Sequence, residues 1–275
     1  MIQLYSPQCS GYTVTPTIFP DKTSQVWKLP ENVVTGKNLR IHWEFENERE
    51  LVDILSVNKI LRAKNPDAFI SLHVSYLPFA RQDKEVSNET TFNLAVFADI
   101  INTAKFSRVV AVDVHSEVAK ELINNFENAQ INNHQIAFGH HNYNYVVYPD
   151  VGAYRRYRSK IDSDKNIICY KERNQLTGEI VNQTFTFEDK TCGIKLQFAN
   201  LASILGAGDN LLIVDDICDG GATFVGIAEK LKKINKDLVI HLSVTHGLFT
   251  KGKEVLKNAG ISGIFYTNEE NIDGR

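Results

Sequence analysis

The sequence predicts an α/β protein of two tandem domains, each a mainly parallel sheet flanked by helices. Three observations carry this expectation. Short apolar segments alternate with segments of helical period through both halves of the chain, the pattern that builds parallel sheets covered by helices. At 275 residues the chain is long enough for two domains of ordinary size. The clearest unit, Leu211–Thr223 (LLIVDDICDGGAT), runs from four apolar residues through two acids and a glycine-bearing turn into a helical pattern over Phe224–Ile234. Leu211–Val214 lacks alternation, which suits a strand buried on both faces of a parallel sheet. The domains are expected at residues 1–139 and 140–275, joined by the Asn- and His-rich stretch Gln130–Tyr145 with a boundary near Gly139.

Composition narrows the function classes. Hydrophobic content of 43% and charged content of 23% are those of a soluble globular enzyme. A net charge of −3 argues against a general nucleic-acid binder and leaves room for local basic clusters. No apolar run is long enough to span a bilayer, so no membrane partner is expected. The opening MIQLYSPQCSGYT lacks a basic region followed by an apolar core, so the expected location is cytoplasmic. Cys9, Cys169, Cys192 and Cys218 are widely spaced, which fits reduced thiols rather than zinc ligands.

In chain order, Met1–Val34 reads as short strands and turns, with Phe19, Pro20 and Asp21 in the turn TIFPDKTSQV. Arg40–Phe45 is a strand. A helix follows, with Leu51, Ile54, Leu55 and Leu61 on one face, stopped at Asn65-Pro66. Phe69–Ser75 is a buried strand running into YLPFARQDK, where Arg81 presents a planar fork for phosphate and Gln82 both donates and accepts. Thr91–Ala104 is a helix and Arg108–Val114 a strand, with His115 just past its end, a position suited to a metal or a phosphate, although a lone His is more often structural. Ser116–Phe126 reads as an amphipathic helix. In the second half Tyr145–Tyr148 is a strand, YPDVGAY a turn, and the helix after it carries Arg155, Arg156, Arg158 and Lys160, expected mostly to face solvent. Asn166–Tyr170 is a strand leading to Lys171-Glu172-Arg173; Leu238–Thr245 and Gly263–Thr267 are later strands, and Phe185–Ile204 shows no register.

The Asp215–Thr223 stretch combines a strand end, a tight turn and a helix N-terminus, where backbone N–H groups and the helix dipole favour an anion. Gly220 and Gly221 let backbone approach a ligand, and Thr223 can donate to a phosphate oxygen. This stretch resembles the phosphoribosyl-diphosphate loop of the type I phosphoribosyltransferase fold. There the two acids hold ribose hydroxyls and the turn holds the 5-phosphate, so the resemblance implies Asp215, Asp216, Asp219, Gly220, Gly221, Ala222 and Thr223 as ribose-phosphate-binding residues. YLPFARQDK resembles the PY-x-x-ARQD segment of ribose-phosphate pyrophosphokinases, and VDVH their V-D-L-H. TIFPDKTSQV falls where that family has F-S-D-G-E, YPDVGAY where it has S-P-D-x-G-G, Lys171-Glu172-Arg173 where it has K-R-R, and THGLF where it has T-H-G-x-F.

Two phosphoribosyltransferase-like domains follow from that resemblance. So do ATP contacts from Phe19, Asp21, Arg81, Gln82 and His115, Mg²⁺ at His115 and Asp150, and catalytic Lys171 and Arg173. The implied reaction moves the diphosphoryl group of Mg–ATP to the anomeric hydroxyl of ribose 5-phosphate, leaving AMP. The Phe19 turn wraps the adenine from a neighbouring subunit, which implies a homodimer or larger homo-oligomer. Three departures stand out. Thr23 falls opposite the family's glutamate, Glu172 replaces the middle arginine, and Asp219-Gly220-Gly221-Ala222-Thr223 replaces D-T-x-G-T, which removes one hydroxyl and opens space at Gly220. A larger 5-substituted ribose such as ADP-ribose therefore stays open as acceptor. A phosphoribosyltransferase and a non-catalytic synthetase-associated subunit remain as alternatives.

Overall fold

The computed structural model describes residues 1–275 except 86, 88, 174–179, 198 and 268–275, and except the side chains of 171–173 and 180–183. The chain divides into two compact units, Met1–Ile131 and Asn132–Arg275. No helix among the described residues is long and apolar enough to cross a membrane.

The first unit opens with the hairpin β1 (Ile2–Ser6) and β2 (Cys9–Thr13). A separate small ribbon follows, β3 (Thr17–Ile18) and β4 (Ser24–Gln25). Then come α1 (Glu31–Val34), β5 (Asn38–Trp43), α2 (Glu50–Lys64), β6 (Phe69–Val74), α3 (Asn93–Thr103), β7 (Arg108–Val112), α4 (Val118–Leu122) and β8 (Phe126–Ala129). The sheet order is β2-β1-β5-β6-β7-β8, with β5 to β8 mutually parallel and β1 antiparallel to β5. Register sets Leu4, Ile41 and Leu72 side by side, all buried. Helix α2 turns Leu51, Ile54, Val57 and Leu61 into the same core, the apolar stripe its 3.6-residue period requires.

The expected helix Ser116–Phe126 is shorter than its pattern. It ends at Leu122, and Phe126 already begins β8, which pairs with β7. Asn125 takes a left-handed φ of 55°, a conformation Asn tolerates, and so turns the chain back onto the sheet.

The second unit contains α5 (Asn133–His140), β9 (Tyr145–Tyr148), α6 (Val151–Tyr157), β10 (Lys165–Arg173), β11 (Ile180–Asp189), β12 (Ile194–Leu196), β13 (Asn210–Cys218), α7 (Ala222–Ile234), β14 (Val239–Gly247), α8 (Glu254–Asn258) and β15 (Ile261–Tyr266). Its sheet order is β12-β11-β10-β9-β13-β14-β15. The run β10-β9-β13-β14-β15 is parallel, and β11 and β12 add antiparallel at one side. Those two strands occupy the part of Phe185–Ile204 and its flank where the sequence shows no register.

The stretch Gln130–Tyr145, expected to be the connection between domains, carries α5. Its polar residues find partners inside the second unit: His134, 3% exposed, meets Ser243 Oγ through Nδ1 at 2.8 Å and sits edge-on to Tyr157 at 4.5 Å. Both faces of this sheet are covered. Leu211 and Ile213 pack with Phe224, Ile227 and Leu231 of α7, and Leu212 and Val214 pack with Ala137 of α5 and Ala153 and Tyr157 of α6. Burial on both sides is why Leu211–Val214 reads as an unbroken apolar run. Strand β10 outruns its neighbour. Its register with β9 ends at Ile168↔Tyr148, yet it stays paired with β11 to Arg173. The five residues Cys169–Arg173 thus form one arm of a hairpin that reaches about 17 Å past the β9 pairing.

Candidate functional site

In the first unit the nucleotide-side candidates leave one edge of the sheet. Strands β6 and β7 are parallel neighbours, so the segments after their carboxyl ends emerge together, where open α/β sheets bind ligands. After β6, Leu77 and Ala80 are buried anchors, and Phe79 takes a left-handed φ of 63°. This turn leaves Arg81 and Gln82 exposed. Gln82 N–H donates to Phe79 O at 2.8 Å, and Gln82 O accepts from Leu94 N–H at 3.2 Å, which ties the turn to the start of α3. Its side-chain Oε1 accepts from Asn93 Nδ2. After β7, buried Asp113 has φ 43° and Val114 N–H donates to Asn128 Oδ1 at 3.0 Å; His115 follows, half-buried.

Phe19 and Asp21 sit elsewhere, at the tip of the β3–β4 ribbon. Asp21 Oδ1 accepts from Thr23 Oγ1 at 2.8 Å and from Thr23 N–H at 3.0 Å. Those bonds hold its carboxyl below the usual range. Thr23, which stands where the related family has a glutamate, therefore serves as the turn's internal partner. Phe19 lies edge-on to Trp27 at 6.4 Å, and Ile18 and Trp27 are largely exposed.

In the second unit β13 runs on to Cys218, so the acidic pair lies within the strand rather than beyond its end. Asp215 pairs with Val244, and Ile217 with His246. The two carboxylates are close enough to act directly on one another. Asp215, half-buried, accepts from Asp216 N–H at 2.9 Å. Burial, then the neighbouring carboxylates of Asp216 and Asp150, push its carboxyl well above the usual range. Asp216 is buried and contacts Arg156 Nη1 at 2.6 Å, and it raises that guanidinium's proton affinity against the opposing effect of burial.

Arg156 thus does not join the solvent-facing charges expected of α6. A signal was present: Ala153, Arg156 and Tyr157 share one side of the helix, and Ala153 and Tyr157 are buried. Asp150 caps α6 by accepting from Ala153 N–H at 2.9 Å. Gly152 makes room for it, since a Cβ there would lie 3.1 Å from Asp150 Oδ1.

Beyond β13, Gly221 adopts φ 78° and leads into α7, whose first turn has no side-chain cap. Its N–H groups and dipole are therefore directed at whatever the loop holds. A Cβ at Gly221 would meet Leu256 Cδ2 at 3.0 Å. Thr223 is half-buried in that first turn, and Asp219 accepts from Thr250 Oγ1 at 2.7 Å. Cys218 is buried, and burial and the Asp219 and Asp215 charges push its thiol up to about 12, which excludes it as a nucleophile. In THGLF, a Cβ on Gly247 would fall 2.2 Å from the Phe249 ring, so any larger residue there would have to displace that ring.

Lys171 and Arg173 lie on the projecting arm of β10; their side chains are outside the described residues. No cluster of three or more metal-ligating side chains occurs among the described residues. Half-buried His115 in the first unit and the exposed Asp150 carboxylate in the second are each, taken separately, a group that suits a magnesium ion carried mainly by substrate phosphates, the usual mode for that cation.

No family model matches the chain. It is 26% identical over 261 residues to the ribose-phosphate pyrophosphokinase of Mycoplasmopsis pulmonis, across 91% of this chain and 74% of that protein. It is 26% identical over 214 residues to the enzyme of that name from Cereibacter sphaeroides, across 73% of this chain and 56% of the relative. It is 24% identical over 233 residues to ribose-phosphate pyrophosphokinase 4 of Saccharomyces cerevisiae, across 82% and 64%. Its fold matches the crystal structure of phosphoribosylpyrophosphate synthetase from Mycobacterium smegmatis with a TM-score of 0.71 at 19% identity, across 96% of this chain and 83% of that one. In sequence the chain is similar to ribose-phosphate pyrophosphokinases, and it carries the two-domain α/β fold of a phosphoribosylpyrophosphate synthetase, the type I phosphoribosyltransferase fold.

Proposed function

We propose that the chain transfers the β,γ-diphosphoryl group of ATP to the anomeric hydroxyl of ribose 5-phosphate, giving 5-phosphoribosyl 1-diphosphate and AMP. The observation that carries this reading is the β13–α7 junction, where two carboxylates for sugar hydroxyls precede a positive-φ glycine and an uncapped helix N-terminus. The relatives' names supply the reaction class.

Phosphoryl transfer needs alignment of attacking oxygen, phosphorus and leaving oxygen, together with positive charge for the developing negative charge. Arg81, Gln82 and His115 are assigned to the nucleotide, with Phe19 and Asp21 as its adenine contacts from a neighbouring subunit. Asp215 and the Asp219–Thr223 turn are assigned to the sugar phosphate. Asp216, paired with Arg156, positions the strand end as well as facing the sugar. Lys171 and Arg173 supply charge at the transferred group. His115 would help hold the magnesium of Mg–ATP and Asp150 a second magnesium; each ion would neutralise phosphate charge when bound. The assembly is at least a homodimer, and light scattering of the purified protein tests that.

The decisive experiment is mass spectrometry of products from ATP, Mg²⁺ and ribose 5-phosphate. AMP and a ribose bisphosphorylated at C1 and C5, carrying diphosphate at C1, are expected in equal amounts. Failure to form AMP would remove the proposal, and consumption of the activated sugar only with a nucleobase would mark a phosphoribosyltransferase instead.

A further inference from the structure

The sugar loop is strapped to the segment that follows β14. Leu248 and Phe249 N–H groups donate to Cys218 O at 2.9 and 3.1 Å, and Thr250 N–H donates to Asp219 O at 3.2 Å. Thr250 Oγ1 adds its bond to Asp219 Oδ1. This register sets the next residue, Lys251, over Gly220. A Cβ on Gly220 would lie 3.4 Å from Lys251 Cδ and Cε and 3.6 Å from Cγ. The space expected above Gly220 is therefore bounded by the lysine stem, which a Cβ there would touch at ordinary contact distance. Lys251 remains exposed overall, and among the described residues its ammonium has no ion pair or hydrogen bond. The adjacent carboxylate, Asp219, is engaged by Thr250 instead.

We propose that Lys251 is a specificity-determining residue of the sugar site. Its ammonium takes the place of the hydroxyl that the D-T-x-G-T loop has and this loop lacks, and it favours a terminal phosphomonoester on the acceptor. Its stem disfavours a bulkier 5-substituent such as the second phosphate and nucleoside of ADP-ribose. A phosphomonoester carries about −1.5 to −2 at neutral pH, so a nearby ammonium discriminates in its favour. The inference rests on reading the β13–α7 junction as a sugar-phosphate site.

The test is calorimetric binding of ribose 5-phosphate and ADP-ribose to the full chain and to Lys251→Ala and Lys251→Arg, with steady-state kinetics in parallel. Lys251→Ala is expected to weaken ribose 5-phosphate about 10- to 100-fold, the loss of one charged hydrogen bond. KM for the sugar rises while kcat at saturation stays close to wild type. Lys251→Arg restores most of the affinity, and the preference for ribose 5-phosphate over ADP-ribose narrows in the alanine variant. Unchanged ribose 5-phosphate affinity in Lys251→Ala, or an arginine variant as weak as the alanine one, overturns the inference and leaves the proposed reaction standing. Wild-type protein that binds no ribose 5-phosphate overturns the reading of the loop and this inference with it.

Discussion

Replacing Arg156 with alanine removes the guanidinium that faces Asp216. The two charges are 2.6 Å apart, with side chains 18% and 2% exposed. At that distance the bare attraction is roughly 6 kcal/mol for an effective dielectric of 20, and desolvation of both groups offsets much of it. Removing one partner is different from never having the pair, because the other carboxylate stays buried without the guanidinium. The expected cost is about 3–5 kcal/mol. At about 2–4 °C per kcal/mol for a domain of this size, the second unit should melt about 10 °C lower, read by calorimetry or circular dichroism. The deficit depends on pH. In the variant, burial raises the Asp216 carboxyl above its unfolded value, so the penalty is present once that group ionises and disappears as pH falls below the ordinary carboxylate range. Adding Asp216→Asn removes the buried charge and should recover most of the loss at neutral pH. An Arg156→Ala protein that melts with wild type, or a double variant no more stable than the single, would refute the reasoning.

Other perturbations test neighbouring parts of the site. Lys171→Ala or Arg173→Ala should lower turnover about 100-fold or more with a smaller effect on ATP binding, as expected for lost electrostatic stabilisation of the transition state; a raised Michaelis constant alone counts against that role. Asp215→Asn should melt higher than wild type at neutral pH. Burial and the Asp216 and Asp150 carboxylates hold Asp215 well above the usual range, so its ionised form costs stability that is absent in acid and appears as pH rises through the folded pKa. The same change should weaken sugar binding about tenfold, and a lower melting temperature at neutral pH contradicts the electrostatic account. Gly221→Ala forces a Cβ into a left-handed conformation at φ 78°, 3.0 Å from Leu256 Cδ2. It should cost about 1–2 kcal/mol in denaturant unfolding, and an unchanged midpoint would show that the loop relaxes freely.

Much of the second unit's frame was legible in residue order. The unbroken run Leu211–Val214 reports a strand covered twice, and Phe224, Ile227, Ala228 and Leu231 report the helix that covers one side. Gly221 stands out in the sequence as permissive backbone, and its φ of 78° is a conformation that admits little else. Less legible were β8 and α5. Phe126–Ala129 pairs with a strand already present, and Asn133–His140 is stabilised by contacts with Ser243, more than 100 positions away. A local pattern of Asn and His shows polarity, whereas burial of that polarity depends on a distant hydroxyl.

What the sequence by itself determined was most of the alternation of strands and helices, the resemblance to ribose-phosphate pyrophosphokinases, and the residue types gathered at the carboxyl ends of the strands. These follow from period, turn chemistry and motif, all carried by neighbours in the chain. Only the tertiary structure decided that Asp215 and Asp216 lie inside β13 with unlike exposure, that Arg156 is buried against one of them, and that the Lys251 stem lies over Gly220. Each of those depends on a distance between residues far apart in sequence. Charge and packing act through space, so a chain read in order shows which groups are available but not which of them meet.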